Sequence, residues 1–248
     1  MGAIHMMWIR QLKRYFRSKS RIAGSLGQPL LFMLAFGFGL GPIFQKAGQG
    51  NYIEFLVPGV VAMTLLFTSI FSGIEIIWDR QFGFLKETLV APVSRLSIMI
   101  GRTLGGATLA VMQGIFVMLL SLIIGFKIMN IGTLFLALIF MLLIALAFTA
   151  LGTAIASRMQ DFQGFQMIMN FLVMPLFFLS GAMFPLDGLP KAFNIILRLN
   201  PLSYGVDGLR GALTGAYYYG PALDLIVLIS VAAVFTVLGS ILFSKIEV

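Results

Sequence analysis

The chain has 248 residues, of which 59% are hydrophobic and only 10% charged, with a mean hydropathy of +1.00. Soluble domains run to roughly half apolar and a quarter charged, so this is the composition of a polytopic membrane protein: about six spans of ~20 to 24 residues, with no length left for a soluble domain. The net charge of +8 sits at the ends of apolar runs, which argues against a nucleic-acid partner, and the lack of cysteine removes disulfides and thiolate metal sites.

Residues 4–20 place Trp8, Ile9, Leu12, Tyr15 and Phe16 on one helical face and Arg10, Lys13, Arg14, Arg17 and Lys19 on the other. That pattern predicts an interfacial helix on an anionic leaflet, since a plain basic flank has no use for the aromatics. Its length and amphipathicity do not match a cleavable signal peptide. Apolar runs follow at about 22–44, 55–77, 103–126, 133–156, 163–185 and 221–243, each long enough to cross ~30 Å of hydrocarbon. Counting alternate sides puts Lys46, Lys127, Lys191, Arg198 and Arg210 on one face and the other twelve of the 17 Lys and Arg on the opposite one. The richer side is cytoplasmic by the positive-inside rule, so a multi-pass protein of the cell inner or plasma membrane with both termini in the cytoplasm is expected.

Between the second and third runs lies a segment, 78–95, that is both charged and sticky. Phe82, Phe84, Leu85, Leu89 and Val90 would need cover, so it reads as a docking surface in the cytoplasm. Glu75, just before it, fits a charge cluster at a helix exit better than a proton-coupling carboxylate. Residues 186–215 are too apolar for an ordinary loop and divide into two short helices. Leu189, Ala192, Phe193, Ile196 and Leu197 face the first, Leu202, Val206, Leu209 and Leu213 the second, with Asn200 as N-cap and Pro201 at N1. Both are expected to be re-entrant or interfacial, and Tyr217, Tyr218 and Tyr219 to form an aromatic belt at the start of the last run.

Self-contained chemistry has no motif here: there is no phosphate loop, no H-E-x-x-H, no G-x-S-x-G, and His5 is the only histidine. The chain is therefore expected to be a non-enzyme with no metal site. The fifth run carries a polar stripe, Gln163, Gln166 and Asn170 at i, i+3 and i+7. It should face protein, a partner subunit or a translocation path, with packing as the plain alternative. Thr149, Thr153 and Ser157 form a cheaper stripe that can bond its own backbone. The Gly37/Gly41, Gly101/Gly105 and Gly211/Gly215 pairs permit close helix approach, though 27 glycines generate such spacings by chance.

The stretch 73–95, with Phe-Leu-Lys-Glu at 84–87 and Ala-Pro-Val-Ser-Arg at 91–95, resembles the cytoplasmic segment of ABC-2 type exporter permeases. Phe55-Leu56-Val57-Pro58-Gly59, the run 178–185 and Asn200-Pro201-Leu202-Ser203-Tyr204 resemble further parts of that family, so the likeness covers nearly the whole chain. It implies an all-α, six-span membrane domain over 1–248, working as a homodimer with two separate cassette ATPases. ATP and magnesium would bind those partners, leaving no cofactor in this chain.

By the same resemblance Trp78, Asp79, Arg80, Phe82, Gly83, Phe84, Leu85, Lys86, Glu87, Pro92 and Arg95 form the ATPase-coupling segment. The N-terminal helix lies beside the ATPase, and Gln163, Gln166 and Asn170 line the dimer interface or substrate path. Asn200, Pro201, Tyr204, Asp207 and Arg210 belong to the outer re-entrant region. The motif forms look more like the drug and lipid efflux branch than polysaccharide or glycolipid export. Twenty-four phenylalanines against two tryptophans fit a small hydrophobic or amphipathic substrate. A self-contained secondary transporter or channel is the reading from another class, disfavoured by the scarcity of buried charge.

Overall fold

The computed structural model describes residues 2–46, 50–90, 92–129, 131–185 and 190–246. It is all-helical, 85% helix, with no strand among the described residues. The elements run α1 (Gly2–Arg17), α2 (Lys19–Lys46), α3 (Tyr52–Phe71), α4 (Ile74–Gln81), α5 (Phe84–Val90), α6 (Arg95–Ile123), α7 (Leu134–Arg158), α8 (Phe162–Phe178), α9 (Lys191–Leu199), α10 (Pro201–Thr214) and α11 (Pro221–Ser244). Among the described residues five stretches are long and apolar enough to cross a membrane: 24–46, 52–81, 95–124, 131–158 and 221–244.

The sixth expected span is shorter than its sequence suggested. α8 has 17 residues, about 25 Å of rise, and gives way at Leu179 to an irregular segment instead of continuing to 185. Its end is closed from outside the helix: Asn200 donates to the terminal carbonyls of Leu176 and Leu179, both at 2.7 Å, while Pro175 lies inside α8, which runs on past it to Phe178. The Oδ1 of Asn200 also accepts from Leu202 N at 3.0 Å, with Pro201 at N1, so the predicted N-cap of α10 forms and the same amide closes α8 as well.

α3 is the hub. Fourteen of its 20 residues are buried, and it packs against α2, α6, α7 and α10. α7 presses its alanine-rich face on α3 and α11. α10 is buried along 202–213, beyond the single apolar face read from the sequence, because Asp207 and Arg210 find internal partners. Tyr218 and Tyr219 donate their backbone N–H groups to Asp207 at 2.8 and 2.7 Å, while Arg210 donates to Gly181 O at 2.9 Å and lies 4.0 Å over the Phe55 ring. Burial pulls the Arg210 guanidinium down to about 10, with Asp207 opposing, so it stays a cation at neutral pH. The tyrosines therefore close a loop onto α10, and Tyr219 stacks on Tyr204. Leu189, assigned to the first outer helix, lies outside the described residues; α9 keeps Phe193 and Ile196 open.

At the other end of the bundle α1 lies against α6. Gly101 and Gly105 make the seat: a Cβ at Gly101 would fall 2.8 Å from Ile4 O, and one at Gly105 2.7 Å from Gln11 Oε1. This glycine pair is a real helix contact, whereas Gly41 has open space around it. Trp8 Nε1 donates to Thr108 Oγ1 at 3.0 Å, and Gln113 Nε2 donates to the Tyr15 hydroxyl at 2.7 Å while its Oε1 accepts from Thr68. Trp8 and Tyr15 of the aromatic face of α1 thus pack on protein, while Phe16 stays 52% exposed.

Candidate functional site

The segment 78–95 is two helical pieces separated by a tight turn. α4 ends at Phe82, Gly83 adopts φ +79, a left-handed conformation that glycine reaches without a Cβ penalty, and α5 starts at Phe84. Ser94 then caps α6, accepting from Ser97 N at 3.1 Å, so Arg95 and Arg102 already belong to the next long helix, which was expected to begin near 103.

The two pieces form a hairpin with an inward and an outward side. Leu85 is fully buried, and Asp79 nearly so. Outward, Phe82 is 82% exposed and Val90 85%, with Lys86, Glu87, Pro92 and Val93 open beside them. Such an apolar tip on a charged hairpin leaves a surface that water does not favour.

What holds the hairpin is an ionic centre on Asp79. Arg10 of α1 binds its carboxylate with both ends of the guanidinium, at 2.7 and 3.1 Å; Arg102 of α6 donates at 2.5 Å and Arg14 at 3.4 Å. Glu75, one turn earlier, lies 4.0 Å from Arg14. The charge cluster expected at this helix exit exists, and three helices, α1, α4 and α6, converge on it. The arginines also stack: Arg10 sits 3.7 Å over the Phe84 ring, and Arg14 5.3 Å from that of Trp78.

Two more arginines clamp neighbours. Arg80 donates to Ser157 O at 2.9 Å and to Met159 O, satisfying carbonyls at the end of α7. Arg95 donates to Ser244 O and, at 3.2 Å, to Ile246 O, at the end of α11. Asp79, Arg80, Leu85 and Arg95 are thus internal fasteners, while Phe82, Lys86, Glu87 and Pro92 face outward.

Sequence reasoning did not single out Arg10, Arg14 and Arg102 as the partners of Asp79. A signal existed for Arg102, a lone cation at the edge of an apolar run, which needs a counter-ion. Gly101 and Gly105 were a second, weaker signal, since they bring Arg10 within reach.

Elsewhere, Gln163, Gln166 and Asn170 are all exposed on α8. They share the open side with Met167, 73% exposed, and Phe171, 86% exposed. That side leads into an apolar groove of about 760 Å³ between α8 and α9, with Phe171, Pro175, Leu176 and Ile196 in its walls. Thr153 and Ser157 are buried, and Ser157 bonds its own backbone at Ala154 O, as a small hydroxyl does. No cluster able to hold a metal occurs among the described residues.

The family model for the ABC-2 type transporter matches residues 2–214, which takes in α1, the hairpin and α10. The chain belongs to the ABC-2 type transporter family. It is 34% identical to a protein of Cyanophora paradoxa named as a transport permease, ycf38, over 81% of this chain and 69% of that one. Nodulation protein J of Rhizobium leguminosarum bv. trifolii is 29% identical over 84% of this chain and 81% of its own, and that of Rhizobium meliloti 27% over 84% and 82%. As an ABC-2 permease the chain is a multi-pass membrane transport component and not itself catalytic.

Proposed function

We propose that this chain is the membrane subunit of an ATP-driven exporter that moves a hydrophobic or amphipathic substrate outward, energised by a separate cassette ATPase docked on the α4–α5 hairpin. α8 completes a set of six spans, the termini and hairpin are cytoplasmic, and α9 and α10 form the outer re-entrant region. Two copies meet with the open sides of α8 facing each other or the substrate, which gives Gln163, Gln166 and Asn170 a polar setting. ATP and magnesium belong to the partner.

One observation carries this reading: the hairpin holds an exposed apolar tip, Phe82, on a base tied to α1, α6 and α7. A push at that tip would be delivered to several helices together, which suits a bundle that rocks between packed states. The test is reconstitution with a cassette ATPase, sought first among the neighbouring genes. Phe82→Ala should abolish stimulation of ATP hydrolysis while the permease remains folded; unchanged stimulation overturns the docking assignment. Flux driven by an ion gradient through this chain alone in liposomes would establish a self-contained carrier instead.

A second substrate reading, glycolipid or polysaccharide export, is favoured by a cavity of about 300 Å³ among α1, α3, α4 and α6. Gln11, Tyr15, Thr68 and Gln113 line it together with the stacked rings of Trp78 and Phe162. Tyr15, Thr68 and Gln113 bond one another, which leaves the unpartnered Gln11 Oε1 and the two aromatic faces to suit a hydroxyl-rich headgroup. Transport of a glycosylated lipid competing with an unglycosylated one separates the two readings.

A further inference from the structure

Alongside the ionic centre runs a groove of about 590 Å³ between α1 and the hairpin. Its walls are Met6 and Ile9 from α1 and Phe82 and Phe84 from the hairpin, and its floor carries Arg10, Lys13, Arg14 and Arg17 against the single carboxylate of Asp79. Arg10 and Arg14 are committed to Asp79. Lys13 and Arg17 are exposed and meet no acceptor among the described residues.

The geometry points to this groove as a binding site for the phosphate headgroup of an anionic lipid of the inner leaflet, and the assignment rests on the cytoplasmic placement of α1 proposed above. Two arguments select a lipid over an acidic segment of a protein. First, the outward arc of α1 mixes Lys13 and Arg17 with Met6, 69% exposed, and Phe16, 52% exposed. A carboxylate-bearing protein surface would match the cations and leave the apolar side chains bare, whereas a phospholipid supplies phosphate and hydrocarbon side by side. Second, α1 runs directly into α2, whose span begins at Gly24, so the groove lies at the membrane boundary where such headgroups are. The phosphate would sit on Lys13 and Arg17, with glycerol and upper acyl carbons on Met6 and Ile9. A lipid there neighbours the Asp79 centre, so the inner leaflet's charge would set how firmly α1 and the hairpin are held together.

The full chain is placed in nanodiscs of phosphatidylcholine alone or with a minor fraction of phosphatidylglycerol, and retained lipid is read by native mass spectrometry beside thermal stability. Wild type should keep phosphatidylglycerol selectively and be stabilised by it. Replacing Lys13→Gln with Arg17→Gln should lower that retention about thirtyfold, at about fivefold for each lost cation near an anionic headgroup. Lys13→Arg with Arg17→Lys should preserve it, and so should Lys46→Gln with Lys127→Gln, which remove the same charge elsewhere. Equal loss in this control pair, or undiminished retention in the first, overturns the site. Inorganic phosphate added to phosphatidylcholine discs should give no stabilisation; a shift equal to that from phosphatidylglycerol overturns the lipid assignment. If the first pair keeps its lipid and instead loses the cassette ATPase, the groove belongs to the protein partner. A Lys13→Cys variant, in a chain with no other cysteine, should react with an impermeant maleimide only from the cytoplasmic side. Labelling from outside would refute the topology, a failure distinct from that of the groove.

Discussion

The carboxylate of Asp79 and the guanidinium of Arg102 meet at 2.5 Å with side chains only 5% and 3% exposed, so α4 and α6 are joined by a pair almost removed from water. Removing one member of such a pair strands the other, which costs about 3–5 kcal/mol. Asp79→Asn is expected to destabilise the chain by that order, because Arg10 and Arg14 lose the same acceptor. Asp79→Leu combined with Arg102→Met should recover most of the loss, since both charges then leave together. Thermal denaturation of the purified single and double variants checks this; a double variant as unstable as Asp79→Asn would show that Arg10 and Arg14, and not Arg102, are what Asp79 serves.

Phe82 and Leu85 lie three residues apart and should answer opposite questions. Phe82 is mostly in solvent, so Phe82→Ala is expected to change stability by no more than about 0.5 kcal/mol. Leu85 has no accessible surface, and Leu85→Ala should cost about 2–5 kcal/mol through the cavity it leaves. Comparing unfolding midpoints with ATPase stimulation in the reconstituted pair separates the effects: Phe82→Ala should lose stimulation at full stability, and Leu85→Ala should lose both. Stimulation retained at full stability by Phe82→Ala would remove the tip from the docking surface.

The long spans were legible in the sequence because twenty or more apolar residues in a row have few other physical solutions. So was the N-cap at Asn200, which rests on two adjacent residues. The sequence did not disclose which way each residue of 78–95 turns. That depends on Gly83 reversing the chain and on Arg10, ~70 positions away, arriving over the seat at Gly101 and Gly105. Long-range ion pairing leaves no periodic trace, and so Asp79, Arg80 and Leu85 read as surface when they are fasteners. α8 ended early for a similar reason: the apolar composition continues to 185, and the stop comes from a side chain on another helix.

Asn200 makes three bonds with one amide, accepting from Leu202 N and donating to Leu176 O and Leu179 O. Each such bond contributes about 1 kcal/mol net. Asn200→Ala is therefore expected to lose about 3 kcal/mol, and Asn200→Ser about 2, since a serine hydroxyl restores the α10 cap without reaching the carbonyls of α8. Denaturation midpoints give the order. Equal losses for Ala and Ser would mean that the cap contributes nothing and that the link between α8 and α10 is the whole effect.

The exposed stripe on α8 gives the sharpest test of how the two copies and the substrate share one surface. Side-chain amides facing hydrocarbon would be costly, and Gln166 and Asn170 are both exposed on their own chain. Gln166→Leu with Asn170→Leu should leave the stability of the isolated chain within about 0.5 kcal/mol, because both side chains are exposed. If the stripe lines the route, the double variant should shift transport toward the more apolar of two competing substrates while crosslinking yields the same fraction of dimer. If it is packing between copies, the dimer fraction should change and selectivity per dimer should not. The neighbouring Met167 and Phe171 are apolar and equally open, so Phe171→Ala serves as the complementary probe. Loss of a hydrophobic substrate from that variant, with a polar one unaffected, would assign the groove between α8 and α9 to cargo.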